Sequence, residues 1–109
     1  MECPKRIKRE LRELAGQAHE NELGRELEKL ARHFDEWREG KIDAASLTEL
    51  IHQYHNGPAR ELWKKYNSGF VEVLVAQAIV SGILQKEQVT EKAWPYVEEA
   101  IEKYKLLSQ

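Results

Sequence analysis

One cysteine, three prolines and no long apolar run stand out first in this 109-residue chain, and each excludes a class of structure. A lone Cys3 cannot close an internal disulfide, so a hydrophobic core must hold the fold. That usage fits a reducing compartment, and the expected location is the cytoplasm. The most apolar stretch, 70–84, is interrupted by Glu72, Gln77 and Ser81. It falls short of the ~20 residues that a membrane span needs. The first residues run into Lys5 and Arg6 and lack the apolar segment of a secretory signal. Neither charge sign dominates: 17 Lys and Arg face 19 Asp and Glu, for a net charge of -2. No global positive field is therefore available to hold nucleic acid.

Strand-like alternation is also missing, and apolar residues recur at helical spacing from end to end. The chain is expected to be all-α: one domain, 1–109, with five or six helices packed around a central apolar helix at about 70–84. Ile7, Leu11, Leu14 and Ala18 form a first stripe, and Leu23, Leu27, Leu30, Phe34 and Trp37 a second. The five-residue step from Ala18 to Leu23, flanked by Gly16, Asn21 and Gly24, predicts a break or kink. The alternative is one long bent helix. The N-terminal helices would then form an arm or hairpin.

Gly40 should end the second stripe, and Asp43 should cap a helix bearing Leu47, Leu50, Ile51 and Tyr54. Asn56-Gly57-Pro58 should stop that helix and start another, since proline suits a first helical position. Asn67-Ser68-Gly69 marks a further corner. Ala78 and Gly82, one turn apart, would admit a close neighbour. Thr90 should cap the last helix, with Pro95 near its start.

Residues 35–46 resemble an EF-hand calcium loop at Asp35, Glu39, Gly40, Ile42 and Asp43. Trp37 and Ser46 stand where that family carries oxygen ligands, and without those oxygens calcium is not held. Glu49, His52 and His55 have the spacing of a helical metal site. A wheel sends Glu49 and His52 outward to opposite sides, so the ligand set is incomplete. No metal and no cofactor are expected. There is no phosphate-binding glycine loop, nucleophilic serine motif or cysteine pair, and no catalytic residue is assigned.

The densest stretch is 55–66. A helix beginning at Pro58 would present free N–H groups, with His55, Asn56, Arg60 and Lys64 beside them to bind a phosphate or carboxylate. A helix-turn-helix could be drawn through the same residues, but Trp63 and Tyr66 look like core. Lys5, Arg6, Lys8, Arg9 and Arg12 make a basic cluster diluted by Glu10 and Glu13, with no aromatic platform for bases. Trp37, Trp63 and Trp94 are expected as core or interface anchors.

The leading reading is a non-catalytic interaction or regulatory protein whose partner is another copy of itself or another protein. The stripes Ile7–Ala18 and Leu23–Trp37 carry more apolar surface than the short helices can cover, which predicts self-association. The alternative is a binding domain or enzyme for a small anion. A nucleic-acid binder comes third, and no membrane is involved.

Overall fold

The computed structural model describes residues 2–107. It contains α1 (Lys5–Arg38), α2 (Ala44–Tyr54), a π turn (His55–Ala59), α3 (Arg60–Tyr66), α4 (Val71–Val80), a 3-10 turn (Lys86–Gln88) and α5 (Trp94–Leu107). No strand occurs among the described residues. The molecule measures 56 × 25 × 24 Å, with a radius of gyration of 17.5 Å. A compact chain of this length would have a radius near 13 Å. The elongation comes from α1, whose 34 residues span about 50 Å at 1.5 Å each.

The expected break in α1 does not occur. Gly16 and Gly24 both lie inside the helix without positive φ. The phase slip between Ala18 and Leu23 has another cause. At about 100° per residue, the first stripe and the second point about 150° apart around one continuous helix. The helix changes which side it buries, because different neighbours cover its two halves.

The first half packs into a lobe with α4 and α5. Ile7, Leu11, Ala15 and Ala18 meet Leu74, Val75, Ala78, Leu84, Val89, Ala93 and Val97 in one buried cluster. Two polar ties fasten this lobe to α1. The Glu10 carboxylate accepts from the Thr90 hydroxyl at 2.7 Å and from its N–H at 3.1 Å. The Asn21 side-chain amide donates to the Ile83 carbonyl at 3.1 Å. Thr90 Oγ also accepts from the Ala93 N–H at 3.3 Å, just ahead of α5.

The central helix expected at 70–84 is shorter and less enclosed. It runs Val71–Val80, and Phe70, Val73 and Val80 are exposed. The shared element is α1. Gly82 does not sit in a helix contact. It ends α4 at φ +79, with Gly82 N–H on the Ile79 carbonyl and Ile83 N–H on the Ala78 carbonyl. Gly40 closes α1 in the same way, at φ +75, with Gly40 N–H on Trp37 and Lys41 N–H on Glu36. Both are Schellman ends, where a left-handed residue lets the chain satisfy orphan carbonyls.

The second half of α1 pairs with residues 44–66, which return antiparallel beside it as a hairpin arm. The predicted stop at Asn56-Gly57-Pro58 does not occur. Tyr54, His55, Ala59 and Arg60 all keep right-handed helical angles, so 44–66 is one rod with a π turn inside it. A proline in a regular α-turn would collide with the carbonyl four residues back. The wider π turn removes that collision without ending the helix. Among the described residues four helical units therefore pack together, in place of the five or six expected. Among the described residues no helix is long and apolar enough to cross a membrane.

Candidate interaction face

The base of the arm is held by a clasp between α1 and α3. The His19 and Tyr66 rings stack with centroids 4.9 Å apart, 13° from parallel. The Tyr66 hydroxyl donates to Glu22 Oε2 at 2.5 Å, and the Lys65 ammonium meets the same oxygen at 3.0 Å. Burial works to raise the Glu22 carboxyl. Hydrogen bonds from Tyr66 and Lys65, with the charges of Lys65 and Arg25, outweigh it and hold the group below the usual glutamate range. Tyr66 is pushed far above the usual phenol range by burial, then by its bond to Glu22 and the carboxylate charge. The clasp was not legible in the sequence, because its members stand 43 and 44 positions apart.

The clasp fixes how the two helices are rotated. Two antiparallel right-handed helices are related by a two-fold axis normal to their common plane. Residues turned the same way from the shared seam therefore lie on the same side of the hairpin. One side is polar and tied together. It carries Glu22–Lys65 at 3.0 Å, Glu26–Lys29 at 2.9 Å and His33–Glu36 at 2.6 Å.

The opposite side is apolar and open. Turning about 120° from those contacts brings up Leu27, Leu30, Ala31 and Phe34 on α1. With the π turn absorbing one extra residue, the same rotation on the rod brings up Ile51, His55, Ala59 and Trp63. Leu27 is 47% exposed, Ile51 37% and Trp63 61%, and Leu47 is the only buried residue of α2 and α3. Two shallow hollows lie on this side. One, of about 310 Å³, runs along α1 past Leu27, Leu30, Ala31 and Phe34. The other, of about 400 Å³, is lined by His55, Asn56, Ala59, Arg60 and Trp63.

His55, Asn56 and Arg60 thus share one hollow, with Lys64 a turn further on, its ammonium 4.0 Å from Glu61. The helix start that was to supply free N–H donors is absent, and the Arg60 N–H donates to the Gly57 carbonyl. Glu49 and His52 are exposed, and no group of three or more His, Cys, Asp or Glu among the described residues could hold a metal ion. In the calcium-loop-like stretch, Gly40 is the Schellman residue and Asp43 Oδ1 accepts from the Ser46 N–H at 2.7 Å. A hydrogen bond from the Ser46 side chain, and then this backbone bond, hold the Asp43 carboxyl below its usual range. Lys5, Arg6, Arg9 and Arg12 are exposed along the start of α1.

None of the three tryptophans is buried. Trp37 is 43% exposed, and Trp94 is half-buried with its indole N–H on Glu98 at 2.8 Å and the Lys86 ammonium 4.7 Å above its ring. A hollow of about 520 Å³ lies in the lobe beside Cys3, Phe70, Val73 and Tyr96. Burial, then the Glu72 charge, pushes the Cys3 thiol up against the pull of Lys8, which keeps it a neutral thiol. Compared with protein-family models, with curated proteins and with solved structures, the chain shows no significant match to any.

Proposed function

We propose that this chain is a non-catalytic interaction protein whose working surface is the open face of its hairpin arm. The observation that supports this is the division of the arm into a polar side closed by ion pairs and an apolar side left in solvent, with Trp63 at 61% exposure. Two helices can bury only one seam between them. The remaining apolar width has no neighbour among the described residues, and such patches mark association sites. Aromatic anchors at the centre of a patch are where binding energy concentrates.

A photo-crosslinking side chain tests which side works. Placed at Trp63 it should yield covalent adducts, and placed at Lys29, on the polar side, it should not. Equal yields from the two positions would rule out the face.

A further inference from the structure

We infer that the partner is a second copy of this chain, packed face to face and in parallel, with α1 of each copy lying over the α2–α3 rod of the other. This rests on the reading of the open face as the working surface. It is carried by the charges along the two edges of that face. The edge contributed by α1 is acidic, with Glu20, Glu28 and Asp35 all exposed. The edge contributed by the rod carries the basic Arg60 and Lys64, both exposed. The exceptions are Arg38 at the tip, tied to Asp35 at 3.1 Å, and the exposed Glu49 and Glu61 on the rod, the second 4.0 Å from the Lys64 ammonium.

Two symmetric ways exist to lay one such face on another. An axis across the helices puts α1 on α1 and rod on rod, which sets acidic edge on acidic edge and basic on basic. An axis along the helices puts α1 on the partner's rod, which sets acidic edge on basic. Only the second is electrostatically complementary, and like-charge juxtaposition is what excludes wrong partners.

Heights along the arm agree with this arrangement. The clasp puts Lys65 and Tyr66 level with Glu22. Counting back along the rod from there, Arg60 stands near the height of Glu28, while Lys64 stands near that of Leu23 and Gly24. A two-fold axis along the helices preserves height, so Glu28 of each copy meets Arg60 of the other.

The lobe does not obstruct the contact. At about 100° per residue, Ile7, Leu11, Ala15 and Ala18 point to the polar side of the arm, so α4 and α5 lie behind the face. The paired stretch is about 30 Å long and two helices, about 20 Å, wide. That gives about 600 Å² per copy, at the lower edge of specific interfaces.

Charge reversal tests the register, on two exposed residues, with circular dichroism to check that each variant keeps its helices. Wild-type protein should sediment as a dimer in a concentration-dependent equilibrium. Glu28→Arg alone and Arg60→Glu alone should each weaken dimerisation at least about tenfold, since each sets like charges together twice in the dimer. Mixing the two variants should restore wild-type affinity as a heterodimer, because reversed Glu28 meets reversed Arg60 and the native pair remains on the other edge.

A strictly monomeric wild type at high concentration would overturn the dimer. Trp63 crosslinks to some other molecule would then leave the face itself standing. Tighter association by Glu28→Arg would show α1 on α1 and overturn the parallel arrangement. Single variants that match wild type, or a mixture that stays monomeric, would overturn the edge pairing.

Discussion

At Tyr66 and Glu22 a single proton sits between two groups whose ionisations are driven apart. The carboxyl is held below its usual range and the phenol far above its own, each partly because of the other. Linkage turns both shifts into stability. A carboxyl depressed in the folded state contributes above its unfolded pKa and stops contributing as pH falls through its folded value. A phenol raised in the folded state contributes below its unfolded pKa and loses that contribution as pH rises past it. The clasp should therefore be fully formed between about pH 5 and about pH 9 and weaken on both sides. Tyr66→Phe should cost about 1 kcal/mol on that plateau, below the full value of a charged hydrogen bond because the site is part-buried. It should also flatten the alkaline limb. Urea unfolding across pH measures both effects, and an unchanged alkaline limb would show that Tyr66 does not carry it.

The rod 44–66 is an element whose two apolar stripes are one residue out of step. Leu47, Leu50 and Tyr54 would continue in a regular α-helix at positions 58, 61 and 65. The residues that face α1 or pack inward are instead Leu62 and Tyr66. The π turn takes up the extra residue and keeps both stripes on one seam. That slip was visible in the sequence, but Gly57 and Pro58 within it are also what a helix end looks like.

Deleting Gly57 should leave the stripes aligned while forcing Pro58 into a regular α-turn, at a cost of about 3 kcal/mol. Combining the deletion with Pro58→Ala should recover that loss, since the remaining rod is then an ordinary helix in the same phase. The urea midpoints of the two variants, compared with wild type, check this. Equal midpoints for both would mean that the proline does not set the π turn. By contrast, the Asp43 cap was legible, because the side chain and the Ser46 N–H it accepts from are three residues apart.

On the scale of the whole molecule, the lobe and the arm differ in how they are held. The lobe encloses its own core, from Ile7 and Leu11 on α1 to Val97 on α5. The arm has one seam, the clasp at its base and an open face. Local stability follows buried apolar contact, so amides along the arm should open more readily than those of α4. A second copy on the open face would close them by mass action. Hydrogen exchange over 44–66 should therefore slow as protein concentration rises, while exchange over 71–80 stays constant. A concentration-independent pattern in the arm would separate it from any association.

The amino-acid sequence by itself determined that the chain is helical and where most of its bends fall. Helical spacing, the Asp43 cap and the glycines at positions 40 and 69 act over a few residues, and such interactions are complete before the chain meets itself. The same local signals misled where a distant neighbour made the decision. The slip at Ala18–Leu23 looked like a break, but α4 and α5 cover one side of α1 and the rod covers another. Asn56-Gly57-Pro58 looked like a stop, but pairing with α1 carries the rod through it. The stretch 70–84 looked central because it is the most apolar, yet the long helix beside it touches more of the fold. His55, Asn56 and Arg60 were read as a group, and they do share a hollow. Only the tertiary structure decided that this hollow lies on an apolar face with a basic edge. Which side of a helix is left open depends on where its neighbours pack, and spacing along one chain segment carries no record of that.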